Sequence, residues 1–268
     1  MIDRSTWLYY PFGQRKLSYW QGSFYIARRN MILYILSFNH VRGVDQVNKV
    51  WYAYLVWVGA AALLGFAVSA VFSGLLRLPR NVYLIPYIAI VSPFLYVFIK
   101  WSGLAVGDLI RHHWIWGLLG AVLLAAFTIN NILSQPVSPR SGGFSLAFDL
   151  LWSGVMYGLI DALLLSVLPV LATWQAFTLL NWTANWPGKI LVGVLAIVAS
   201  LFVTIAYHLG YPEYRGAGLF GPSIGNTAMT LGYLLTNNPL AAVLSHIAMH
   251  VAGVLHGPAS VVQLPPHY

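Results

Sequence analysis

Residues 51–76 read WYAYLVWVGAAALLGFAVSAVFSGLL, a run of twenty-six positions without one charged side chain. A spanning α-helix needs about 20 predominantly apolar residues. This run exceeds that before Arg77, Pro79 and Arg80 end it. Comparable runs follow at 82–104, 114–133, 144–177, 189–208, 219–235 and 240–255. The reading is an all-α integral membrane protein, a polytopic bundle of about seven transmembrane helices, with six or eight as the alternatives. Pro86 and Pro93 fall inside the second run and are expected to kink it. The fourth run is longer than one perpendicular crossing needs, and Pro169 is expected to kink it or to end its membrane part. Were it two segments, the end of the chain would return to the side of its beginning. A β-barrel would show apolar/polar alternation in ~10-residue strands, whereas these runs are continuous.

Composition agrees. Only 7% of residues are charged and 59% are hydrophobic, with a mean hydropathy of +0.72. A soluble domain carries about 25% charged residues, so this chain needs lipid to cover it. The formal charge is +8, and seven of the fourteen Lys/Arg precede residue 50: Arg4, Arg15, Lys16, Arg28, Arg29, Arg42 and Lys49. The positive-inside bias puts that end in the cytoplasm, and the expected location is a bacterial inner membrane. The charge flanks a span and no recognition motif accompanies it, so nucleic acid is not the expected partner. The absence of cysteine excludes disulfides and thiolate metal sites. No cleavable leader is visible, because the first 30 residues are polar, aromatic and basic.

Three regions follow. Residues 1–50 interleave rings such as Trp7, Tyr19, Trp20 and Tyr25 with Arg and Lys, the signature of a segment at the headgroup layer. Within them Met31–Phe38 is too short to span and is expected to be an interfacial helix. Residues 51–256 form the bundle, and 257–268 form an extended tail. SQPVSPRSGG (134–143) is the clearest break inside the bundle.

Ionisable side chains inside a span are costly and mark functional sites by default. Asp161, in YGLIDALLLSVLP, is the acidic residue placed deep in an apolar run. His208 closes the fifth run, and His246 and His250 stand at i and i+4 in the seventh. That spacing puts both imidazoles on one helix face. Three histidines and a carboxylate suit Zn²⁺ or another divalent ion. Histidines hydrogen-bonded to neighbouring helices are the plainer alternative. Helical zinc motifs with Glu after the first His are excluded by Ile247. Ser245, Asn226, Asn130, Asn131 and Thr227 are expected to make interhelical hydrogen bonds. His112 and His113 near Asp108 read as an interfacial polar loop.

T-I-A-Y-H (204–208), the glycine-bearing stretch from Leu219 and the final H-I-A-M-H (246–250) resemble, in order and spacing, the CPBP family of intramembrane metalloproteases, which includes CAAX prenyl proteases and bacteriocin-immunity homologues. Residues 145–256 are the part that resembles the family. The resemblance implies a CPBP-like bundle, metal-binding histidines and hydrolysis of a peptide substrate. Its first motif, Glu-Glu-x-x-x-Arg, falls on Ile160, Asp161 and Leu165, so the general base is missing unless Asp161 supplies it. Thr204 replaces the usual Phe and His250 the usual Asn. The favoured expectation is a degenerate homologue acting as a scaffold or accessory subunit of a membrane complex. An active metallohydrolase is the alternative, with His208, His246, His250 and Asp161 on the metal and Asp161 as catalytic residue. Gly221-Pro-Ser223-Ile-Gly225 with His250 is weakly similar to a rhomboid serine dyad. A transporter is disfavoured by the lack of an inverted repeat.

Overall fold

The computed structural model describes residues 50–267, and every regular element in them is helical. The expected interfacial segment at the start of the chain lies outside the described residues. We number the helices α1 (Val50–Leu75), α2 (Arg80–Ser102), α3 (Val106–Arg111), α4 (Trp114–Leu133), α5 (Gly143–Leu179), α6 (Trp186–Leu209), α7 (Phe220–Thr236) and α8 (Leu240–His256). Five of them, α1, α2, α4, α5 and α6, are long and apolar enough to cross a membrane, as a multi-pass protein requires. α7 and α8 are 17 residues each. The polar turn expected around Asp108 contains the short helix α3.

α5 is the hub. In its most apolar stretch 72% of residues are buried, against 33% or less in the other four long helices. α1, α2, α6, α7 and α8 all pack on it. Two glycines make one of these contacts possible. A Cβ on Gly154 would come within 2.9 Å of the Val251 side chain, and one on Gly158 within 2.8 Å of Ile247 Cα. α8 therefore lies directly on the α5 backbone, as small residues permit in membrane bundles. The outer faces of α1, α4 and α6 expose Leu63, Leu123 and Val198, the surface lipid is expected to cover.

α5 runs unbroken through Pro169, so the fourth apolar run is a single helix and not two segments. π-helical turns at Leu150–Met156 and Ala162–Val167 interrupt its α-helical register. Pro169 stands in the first turn of α-helix after the second of these. The carbonyl four residues before it, Leu165 O, accepts instead from Ser200 Oγ at 2.6 Å and from Asn226 Nδ2 at 3.4 Å, and the fixed φ of proline suits the resumed helix. α2 likewise continues through Pro86 and Pro93.

The two ends of the bundle are sewn differently. At one end Asn238 Nδ2 donates to the carbonyls of Ile110 at 2.8 Å and His112 at 2.5 Å, tying the α7–α8 turn to α3. At the other end residues 257–267 lie as a strap across α2, α5 and the 134–138 and 210–214 loops. Gly158→Val is expected to push α8 off α5 and destabilise the protein by roughly 1–3 kcal/mol. Thermal unfolding in detergent would read this as a lowered midpoint, and an unchanged midpoint would mean that the α5–α8 contact is loose.

Candidate metal centre

The two π-helical turns of α5 bracket Asp161. π turns widen a helix locally and recur at functional sites. Asp161 is 5% exposed and its carboxyl faces α8. The i, i+4 spacing predicted for His246 and His250 holds, with ring centroids 5.9 Å apart and near-parallel planes. Asp161, His246 and His250 each offer a ligand atom within 4.8 Å of the others, the only such group of three among the described residues. His250 Nε2 lies 3.6 Å from Asp161 Oδ2. That is too long for a hydrogen bond. It is close to the edge of about 3.3–3.5 Å that two donors span around a tetrahedral zinc.

His208 is the fourth expected member. It lines the same cavity but stands outside the close trio. Its Nδ1 lies 2.8 Å from the Thr204 carbonyl. A carbonyl only accepts, so Nδ1 carries the proton and a neutral ring keeps a lone pair on Nε2. Metal-bound histidines are oriented in this way. The Thr204 hydroxyl turns away to the Ser200 carbonyl.

The cavity has a volume of about 210 Å³ and is closed on one side by Gly221, Gly225 and Asn226 of α7 and on another by Val262, Gln263 and Pro265 of the strap. A Cβ on Gly221 or Gly225 would meet nothing within 4 Å. These glycines stand one turn apart and leave the cavity open. Ser223 does not line it, so the serine-dyad reading finds no support. Asn226 and Ser200 join α5, α6 and α7 through Ser166, Thr230 and the Leu165 carbonyl. This is the interhelical role expected of Asn226. Ser245 and Thr227 instead bond within their own helices.

Two imidazole nitrogens stay unsatisfied. His246 Nδ1 is buried with no hydrogen-bond partner. His250 Nδ1 interacts with the Ser153 backbone but makes no geometrically sound hydrogen bond to it. A buried polar atom left unpaired costs about 1–3 kcal/mol. The two histidines therefore do not form a self-satisfied hydrogen-bond network, and with Asp161 they offer nitrogen and oxygen donors of the kind a divalent ion takes.

Sequence reasoning missed the tyrosines behind Asp161. Tyr83, Tyr87, Tyr157, Tyr207 and Tyr211 are fully buried. Tyr87 donates to Asp161 Oδ1 at 2.6 Å. Tyr211 Oη lies 2.6 Å from Tyr207 Oη and 2.7 Å from Tyr83 Oη, and Tyr157 lies 3.1 Å from both Tyr207 and Tyr211. Burial holds the Tyr211 and Tyr214 hydroxyls well above the ordinary tyrosine value, so both stay protonated donors. The signal was available as spacing: Tyr83/Tyr87, Tyr157/Asp161 and Tyr207/Tyr211 repeat the i, i+4 interval of His246/His250.

The strap was read only as a tail without helix. Arg80 binds it with Nε to the Leu264 carbonyl at 2.6 Å and Nη2 to the Pro258 carbonyl at 2.5 Å. Tyr157 donates to Pro265 O, and Tyr214 to Val262 O. Gln135 accepts from the Val262 amide at 3.0 Å. The strap's own Val261 and Leu264 are fully buried against the bundle.

No protein-family model matches this chain, and neither the curated proteins nor the solved structures contain a match to it. The site is therefore read from its own geometry.

Tyr87→Phe is expected to leave Asp161 Oδ1 without its donor and to cost about 1–3 kcal/mol. Adding Asp161→Leu to that variant should recover part of the loss, because no buried carboxyl is then left unpaired. Equal midpoints for wild type and Tyr87→Phe would show that this hydrogen bond adds nothing. Arg80→Gln is expected to speed hydrogen exchange of the strap amide at Val262, while amides in the middle of α5 keep their protection.

Proposed function

We propose that the Asp161–His246–His250 cluster binds a divalent metal ion, Zn²⁺ by its nitrogen and oxygen donors, with His208 turned to the same cavity. The observation that carries this is the buried trio itself, one ligand atom from each of Asp161, His246 and His250 within 4.8 Å of the others, with the carboxylate approaching His250 without bonding to it. We read the chain as a divergent intramembrane metallohydrolase of CPBP-like fold, with a peptide bond as its substrate. The seven-span count goes with that reading, α7 and α8 being the two short crossings.

Each side chain then has a task. Tyr87 fixes one carboxyl oxygen of Asp161 and leaves Oδ2 directed at His250. The Thr204 carbonyl sets the tautomer of His208. Gly221 and Gly225 keep room for a reactant. Asp161 is the one carboxylate lining the cavity, and we assign it the role of proton acceptor. A bound zinc would supply polarisation of a carbonyl or of water. The strap restricts water and substrate at the mouth.

A second reading rests on Ile160 and Leu165. Both are buried, and they replace the Glu and Arg of the family motif. A homologue that lost hydrolysis and serves as an accessory subunit would carry such apolar replacements. It would not need to retain unpaired imidazoles, and for this reason we place it second.

Charge supports the orientation. Lys100, Arg111 and Lys189 flank the helix ends on the side where α1 begins, and the sequence leading into α1 carries seven further basic residues. Arg77, Arg80, Arg140 and Arg215 stand at the opposite ends. By the positive-inside rule the first side is cytoplasmic, in a bacterial inner membrane. His208, His250 and the strap then belong to the outer half.

Metal analysis of the purified protein tests the proposal. About one zinc per chain is expected in the wild type, with loss in His246→Ala/His250→Ala. Cobalt substitution should give the visible absorption of a low-coordinate nitrogen and oxygen site. A well-folded wild type that binds neither ion would sink the hydrolase reading. Co-purification of a stoichiometric membrane partner would then favour the accessory role.

A further inference from the structure

A second and larger cavity, of about 670 Å³, opens at the end of the bundle away from the strap. Neither the hydrolase nor the accessory reading uses it. Val170 and Leu171 of α5, Ile190, Val194 and Ile197 of α6 and Leu231 of α7 form its apolar wall. α3 and its flanking residues cross one side.

Gly193 stands in the middle of that wall. Glycine in a helix interior costs about 1 kcal/mol relative to alanine. Close backbone approach accounts for such a residue at Gly154 and Gly158. At Gly193 a Cβ would meet nothing within 4 Å. The missing side chain leaves space there and makes no contact.

The rim is cationic. Arg111 at the end of α3 and Lys189 in the first turn of α6 both line the cavity, with Asp108 as its one acidic residue. Burial, and then the neighbouring His113, hold His112 below the ordinary histidine value, so its imidazole adds no charge to the rim at neutral pH. A cation in the first turn of a helix opposes the helix dipole. An anion placed there would offset both. Lys189 Nζ also lies 5.3 Å from the Trp186 ring centroid, and that pairing of cation and indole is typical of headgroup depth. Trp174 and Gln175 line the same end.

An alkyl-walled crevice with two cations and interfacial rings at its mouth has the chemistry of an acidic amphiphile site. We propose that this crevice holds one anionic membrane phospholipid, its phosphate between Arg111 and Lys189 and an acyl chain against Gly193. The site is independent of the metal cluster at the other end.

The test uses the full-length protein in nanodiscs of equal phosphatidylglycerol and phosphatidylcholine, followed by native mass spectrometry of retained lipid. One phosphatidylglycerol per chain is expected, favoured about tenfold over phosphatidylcholine. Arg111→Gln/Lys189→Gln should bring the two lipids to near parity. Gly193→Trp should abolish retention of both while the charges remain. Zinc content should be the same in all three proteins, which separates this outcome from the fate of the hydrolase reading. Equal retention of both lipids by the wild type, no retained lipid, or a preference unchanged in both variants would each overturn the proposal.

Discussion

A carboxyl group inside an apolar helix must find its partners within the protein, because lipid offers none. Asp161 sets that requirement for this bundle. α5 runs through the centre, its register loosened by a π turn on either side of the residue. α2 supplies Tyr87 to one carboxyl oxygen. α8 brings His250 towards the other. α6 adds His208 to the same cavity and Tyr207 to the hydroxyl cluster beneath it. Four helices are thus fixed around one side chain, and a slip of any of them would leave a buried polar group unpaired.

Close packing and open space are both set by glycine. Gly154 and Gly158 bring α8 onto α5, which places His246 and His250 within reach of Asp161. Gly221 and Gly225 stop α7 from filling the room this creates. Dispersion and hydrophobic contact would otherwise collapse such a void. The strap finishes the enclosure. Arg80, Tyr157 and Tyr214 satisfy its backbone carbonyls, so an extended segment can lie against the bundle without orphaned groups.

The helical, membrane-spanning character was legible because lipid solvation leaves one pattern available, long uncharged runs. The observed bounds of α1, α6 and α8 fall within three residues of the apolar runs at 51–76, 189–208 and 240–255. That α5 stays one helix through Pro169 was not legible, because the carbonyl four residues before the proline is satisfied by Ser200 and Asn226, from helices distant in the sequence. Asp161, His246 and His250 were legible as costly residues in apolar runs. The tyrosines were not, since Tyr is as ordinary at a membrane surface as in a buried network, and only packing separates the two.

The sequence by itself determined the solvent of this protein, its helical class and the identity of the residues expensive enough to need a reason. These depend on composition and on short-range spacing. Tertiary structure alone decided that Asp161 meets His250 across α5 and α8 while His208 stands back from the trio. It alone decided that the last residues cover the site, and that Gly193 borders a void where Gly158 borders a backbone. Such distances depend on how helices far apart in the chain cross. Crossing is fixed by side chains packing jointly on several elements, which no local pattern encodes.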